Sequence, residues 1–395
     1  MSNITSKKLY IIALSLICVI FMGACGSPSA SSAAGESAAE EAVLEQVQAT
    51  PEPTPAPAEL DFSSMSDGDI ESVTSEIKST DSIRSITLNH EDGTSDVSLD
   101  SFIAIAEAAP EGTPIDYTFT LFGQEINTLT TDRLEYKQTE IGDEGLESFR
   151  QVLPYLSNLN YLSFDRCGTT DEACAQLRDD FPDTEVVWRI YFGPFSAMTD
   201  VETIWASCDL RNETCGSLKY CTKLKNLDIG HCAMTDLSFL DYMPELDTLI
   251  ISCSDFNDIS HVASCKKLKY FEMAECQITD ISPIAELTEL EHLNIGGNTG
   301  IVDFSPLYNL KNLKRLYGDN IMNVTLDMEK ISYVFRELMP ETEISFEWCS
   351  DGALNGTNWR YSAGHYNGHY VSEYVRIREV FNYDAGMAGQ ARLYE

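Results

Sequence analysis

The feature that most constrains this chain is a repeat of fixed length between residues 224 and 316. Leu224, Leu246, Leu268 and Leu290 fall 22 residues apart, and Leu313 follows after 23. Leu227, Leu249, Phe271, Leu293 and Leu316 keep step, as do Ile229, Ile251, Met273 and Ile295. The local pattern is L-x-x-L-x-L-x-x-N/C, with Cys232, Ser254, Cys276 and Asn298 in the last place. The L-x-L piece alternates with period two, which predicts a short strand with its apolar side inward. The place after it calls for a small polar group that bonds backbone as the chain turns. A second motif follows in step: TDLSFL at 235, NDISHV at 257, TDISPI at 279 and VDFSPL at 302. Asp236, Asp258, Asp280 and Asp303 are placed to cap the return. One such unit cannot bury its own apolar face, so the units must stack into a parallel-stranded solenoid.

With those columns in register, residues 202–322 resemble leucine-rich repeats of the 22-residue, internalin-like type. The segment GNTGIV at 297–302 departs from the pattern by one inserted residue. The resemblance implies a parallel β-sheet on a concave face and a role in recognising other proteins.

Upstream, over 61–201, the units are longer and looser. Leu134-x-Tyr136 and Leu162-x-Phe164 lie 28 apart, each followed by a helix-like stretch, 143–156 and 171–181. FPDTEVVWRI at 181 is echoed by MPETEISFEW at 339 and more faintly by TPIDYTF at 113. Gly123 with Thr131-Asp132 trails the faint copy, and Gly193 with Thr199-Asp200 the first one. These read as hairpin-like inserts that close blocks of repeats. Residues 323–395 leave the period. A helix at 327–339 and a strand at 343–348 suit a cap over the last open face. The expected fold is therefore α/β: a leucine-rich repeat solenoid, longer strand–helix repeats toward the N-terminus, and a C-terminal cap with a Tyr- and Gly-rich tail.

The first 24 residues read as an export signal. Lys7 and Lys8 precede an apolar run from Leu9 to Met22, a length that suits a signal peptide better than a membrane span. The run ends in Gly23-Ala24-Cys25, which resembles the lipobox of bacterial lipoproteins and implies lipidation at Cys25. Residues 25–60 carry Ala, Pro and Glu with no Lys or Arg, a composition that cannot bury enough apolar surface to fold. They are expected to be a disordered tether holding the body off a membrane. The expected location is the extracellular face of a bacterial membrane.

The chain has 26 basic and 63 acidic residues, a net charge of −37. That field repels phosphate backbones and argues against nucleic-acid partners. Ten cysteines remain beyond Cys18 and Cys25. Disulfides are one expectation for an exported chain. Repeat-column cysteines two strands apart are too distant to bridge, although Cys232–Cys253 is within reach. Most are therefore read as buried thiols.

No GxSxG, phosphate loop, GxGxxG or HExxH occurs. His365, His369 and Glu373 would share one face of a helix and hold a metal there, but Gly364, Asn367 and Gly368 argue against a helix. No metal, cofactor or catalytic residue is assigned.

The strand register assigns Trp205, Asn226, Asp228, His231, Thr248, Tyr270, Glu272, Glu275, His292, Asn294, Arg315, Tyr317 and Asp319 to the concave face. Aromatic side chains mixed with carboxylates suit a binding surface. The sequence thus points to a non-enzymatic, lipid-anchored protein that binds a protein or surface polymer through that face. The alternative is a cell-wall enzyme or enzyme module with its site in 323–395.

Overall fold

The computed structural model describes residues 56–318, 327–345, 365–366, 369–370 and 372–391. The expectations for the signal peptide, for Cys25, for most of the tether and for Asp319 lie outside those residues.

The body opens with β1 (Ala58–Asp61), α1 (Ile70–Ser79), β2 (Ile83–Thr87), α2 (Leu99–Ala108) and β3 (Ile115–Asp116). The three strands form a parallel sheet. The tether boundary at residue 60 is thereby corrected: β1 pairs along β2, and Leu60 packs against the core. Next comes the hairpin of β4 (Thr118–Leu121) and β5 (Gln124–Asn127). A second block follows: β6 (Arg133–Lys137), α3 (Gly142–Val152), β7 (Tyr161–Asp165), α4 (Asp171–Asp180) and β8 (Glu185–Phe192). β6, β7 and β8 are parallel, and β9 (Phe195–Met198) folds back on β8 as a hairpin.

The helices form where the sequence places its apolar spacing. Leu146, Phe149 and Val152 of α3 are buried one turn apart, as an amphipathic helix requires. Phe149 meets Tyr136 at 5.3 Å and Phe164 at 5.2 Å between ring centroids. Thr170 starts α4 by accepting the Ala173 N–H at 3.3 Å, satisfying one of the donors a helix leaves unpaired at its start.

The two hairpins are one device used twice. Thr128 Oγ1 accepts the Tyr117 N–H at 3.1 Å, and Thr199 Oγ1 accepts the Trp188 N–H at 3.2 Å. The return bonds, Thr128 N–H to Tyr117 O and Thr199 N–H to Trp188 O, also match. The residue equivalent to Thr199 is thus Thr128, which corrects the pairing with Thr131.

The third block is a seven-stranded parallel sheet: β10 (Thr203–Trp205), β11 (Asn226–Asp228), β12 (Thr248–Ile250), β13 (Tyr270–Glu272), β14 (His292–Asn294), β15 (Arg315–Tyr317) and β16 (Glu343–Ser345). Each strand is three residues long, and β10–β14 are each followed by a 3₁₀ turn, as at Ser238–Tyr242, Ser260–Ser264 and Ser282–Glu286. The periodic Leu, Ile, Phe and Met columns of 224–316 are all buried. Asp236, Asp258, Asp280 and Asp303 each accept the backbone N–H two residues on, at 2.8–2.9 Å. α5 (Met328–Leu338) places Phe335 in the main core, and β16 closes the sheet, so 327–345 is the expected cap.

Candidate functional site

The concave face is built by the odd positions of β10–β16. Ladder pairing sets them in two rows. Asn226, Thr248, Tyr270, His292 and Arg315 form one; Trp205, Asp228, Ile250, Glu272, Asn294 and Tyr317 form the other. The sequence reading of these rows holds in position.

Their expected exposure is corrected. Asp228, Thr248, Tyr270, Glu272, Asn294, Arg315 and Tyr317 are all buried. The cover is the chain's own C-terminal segment. A helix over Ser372–Val380 and a turn over Tyr383–Gly389 lie in the groove. Ile377 and Phe381 join Ile250, Tyr270, Ala274 and Tyr317 in an apolar cluster separate from the main core. Arg376 pairs with Asp247 at 3.2 Å and donates to Thr248 Oγ1 at 3.0 Å. Tyr383 donates its hydroxyl to Asp228 Oδ2 at 2.5 Å and stands edge-on to Trp205, ring centroids 4.8 Å apart. Gln390 donates to Ser207 O at 3.3 Å. Ala391 accepts the Ser196 N–H and donates to Trp205 O, both at 2.9 Å, and so joins the edges of two sheets.

Sequence reasoning missed this segment. Its signal was Ile377, Val380 and Phe381 at helical spacing inside a Tyr-, Gly- and Arg-rich tail. That pattern shows an apolar face without saying what it packs on.

The floor of the groove is polar. Tyr270 donates its hydroxyl to Glu272. Ser207 Oγ donates to Asp228 Oδ1 at 3.1 Å, and Ser252 Oγ accepts the Ala274 N–H at 3.0 Å. Asn294 accepts the Gly296 N–H at 3.0 Å, and among the described residues its buried Nδ2 has no hydrogen-bond partner.

His231 and Glu275 prove to belong elsewhere. With Cys208, Cys253 and Gly297 they occupy one column of positive φ, 54–89°, immediately after the strands. They are turn residues at the rim, with Cys208, His231 and Glu275 exposed and Cys253 and Gly297 half-buried, where the backbone reverses in the left-handed region. The column beyond them bonds backbone as expected. Asn298 Nδ2 donates to Met273 O at 2.8 Å and Ile295 O at 2.9 Å, and Cys276 Sγ lies 3.3 Å from Ile251 O.

Apart from Cys208 and Cys253, the described thiols are core filler. Cys221 and Cys265 take the place that Leu287 and Leu310 hold in later units, and all four are buried. Cys232 Sγ lies 3.4 Å from Gly230 O, and the bridge to Cys253 is not formed. Burial pushes Cys221 and Cys265 up to about 12 and Cys232 and Cys276 up to about 11. At neutral pH these are protonated and unreactive. Among the described residues no group of three or more His, Cys, Asp or Glu side chains could hold a metal. His365 and His369 lie on paired antiparallel strands, with His365 opposite Tyr370 and Tyr366 opposite His369, so one helix does not carry them both.

Residues 266–309 match the family model for leucine-rich repeats, two copies. The parallel strand register and that match define a leucine-rich repeat solenoid fold. No curated protein matches the chain. Among solved structures, an internalin of Listeria monocytogenes, inlF, is 20% identical over 50% of this chain and 63% of its own, with a TM-score of 0.28. Internalin C2 of the same species is 22% identical over 38% of this chain and 72% of its own, TM-score 0.25. A leucine-rich repeat protein of Leptospira interrogans is 15% identical over 69% and 62%, TM-score 0.29. The chain thus spans under two-thirds of the first of these, and likeness at this level says nothing of function.

Proposed function

We propose that this is a non-enzymatic binding protein of the bacterial cell surface, anchored through lipid on Cys25, that recognises a protein or surface polymer through its concave groove. The observation that carries this reading is the groove itself. The parallel strands present aromatic, carboxylate and hydroxyl side chains to one helical segment of polypeptide, and each such contact is one a foreign chain could make. A hydrophobic centre with polar surroundings is the usual make-up of a recognition surface. Leucine-rich repeat proteins commonly bind proteins, which supports the same reading.

Capture from native surface extracts tests it, with residues 56–395 as bait so that β1 is kept. The comparison is Asp228→Asn with Glu272→Gln, two near-isosteric changes in the groove, with circular dichroism as the folding control. A partner held by the parent and lost by the folded variant is the expected result. Equal capture by both removes the concave groove from the proposal. Cys25→Ala in cells tests the anchor: release from the membrane fraction is expected, and retention there refutes lipidation at this residue.

A further inference from the structure

The C-terminal segment need not cover the groove to complete the fold. The Leu core is closed at its last unit by α5 and β16. The segment adds Ile377 and Phe381 to a small separate cluster. It lies on a groove whose rows mix the apolar Ile250, Tyr270 and Tyr317 with buried polar groups, Asp228, Thr248, Glu272 and Asn294. Burying such groups costs free energy unless each is well bonded. Asn294 Nδ2 shows that the match is incomplete, and a buried donor without an acceptor costs ~1–3 kcal/mol. A partly polar floor, with a buried donor left unmet among the described residues, fits a surface whose best occupant is another molecule.

Resting on the function proposed above, we propose that the groove's partner is an amphipathic helical segment of another protein, and that residues 372–391 are the resident surrogate this helix displaces. The surrogate states the chemistry the partner needs. An arginine must reach Asp247 and Thr248, as Arg376 does. Apolar side chains four residues apart must fill the cluster beside Tyr270 and Tyr317, as Ile377 and Phe381 do. A hydroxyl-bearing aromatic must reach Asp228 and stand against Trp205, as Tyr383 does. A partner that also supplies an acceptor to Asn294 Nδ2 makes a bond that no described residue makes. The apolar anchors, i and i+4 on one helix face, follow the helix-in-groove mode of recognition. Because the surrogate is attached in cis, it competes at an effective concentration on the order of millimolar. The partner's apparent affinity is therefore reduced by the fraction of molecules in which the groove is open.

The test uses the full chain and a fluorescein-labelled synthetic peptide spanning residues 369–391, so no natural partner is required. Peptide binding is compared between the parent and the double variant Arg376→Glu, Phe381→Ala, which loosens the resident segment without touching the groove. The variant is expected to bind the peptide at least tenfold more tightly than the parent. Unlabelled peptide should also speed amide exchange in 372–391 of the parent while β11–β14 stay protected. Retained protection of β11–β14 in the variant shows that the solenoid is folded. Tyr383→Phe, which removes one hydroxyl and keeps the ring, provides a milder loosening and should give a smaller gain in peptide affinity. The proposal is overturned if parent and variants bind the peptide equally, or if none binds. It is also overturned if amides of 372–391 exchange only together with those of β11–β14. Such a failure leaves the binding function standing, since that is decided by capture of a partner and not by the peptide.

Discussion

The long-repeat half, 56–201, and the short-repeat half, 202–345, build the same parallel ladder with different outer elements. In the long half each unit has room for an α-helix with its own buried face, and α3 brings Leu146, Phe149 and Val152 into an aromatic cluster. In the short half the 22-residue unit has room for a 3₁₀ turn that buries one or two side chains, such as Val262 or Ile284. Stability there comes from columns that run between units, not from any unit alone. The strand faces differ as well. Arg133, Glu135 and Lys137 of β6 are exposed, whereas the inner positions of β11–β15 lie under the C-terminal segment. The lesson is that repeat length decides whether a unit is held within itself or by its neighbours.

The largest effects test that division. Phe149→Ala and Leu249→Ala, both at fully buried positions, should cost about 3–5 and 2–5 kcal/mol respectively in urea unfolding. Leu249→Ala should speed amide exchange across β11–β14 and leave β6–β8 protected. Equal loss in both halves would show one cooperative unit and end the contrast. A smaller effect sharpens it. Asn298→Ala removes a side chain that satisfies two carbonyls below 3.0 Å, and should cost about 1–3 kcal/mol. Cys167→Ala, at the equivalent place after β7, should cost less, because its thiol is a weak donor at 3.4 Å from Tyr136 O. A larger loss at Cys167 would contradict this account.

The smallest effect is electrostatic. Backbone N–H groups of Ser238, Ser260 and Ser305 hold Asp236, Asp258 and Asp303 below the usual carboxylate range. A depressed pKa in the folded state means stability present above the unfolded value and lost as pH falls through the folded one. Below about pH 4, the amides of Ser238, Ser260 and Ser305 should therefore exchange faster than base-catalysed chemistry alone dictates. The amides of Leu246 and Leu268, which donate to the backbone carbonyls of Met243 and Cys265, should not. Uniform behaviour of both sets would refute the assignment.

The short half was legible because each column repeats one physical demand. Leu249, Asp258 and Asn298 are each the answer to a local question about burial, capping or turning. β6, β7, α3 and α4 were legible for the same reason. β1–β3 were not recognised, since Ile83–Thr87 and Ile115–Asp116 follow no fixed period. Strand alternation placed the two groove rows, but it also assigned His231 and Glu275, which are turn residues. The burial of the rows was not foreseen, because Arg376 and Thr248 are 128 residues apart and no pattern in either segment names the other.

One feature of the ladder reaches beyond stability. The residue before each of β10–β15 alternates in sign: Glu202, Lys225, Asp247, Lys269, Glu291, Lys314. Neighbours pair across the sheet, Lys225 with Glu202 at 2.6 Å, Lys269 with Asp247 at 3.2 Å, and Lys314 with Glu291. Each pair is exposed and worth little alone, but the alternation imposes parity on the array. Excising one 22-residue unit, for example 247–268, would set Lys225 beside Lys269, like charges on adjacent strands. Excising two would restore the alternation. A gene encoding such a ladder can lengthen or shorten at least cost by even numbers of repeats, so the charge column acts as a counting rule on how the array can grow.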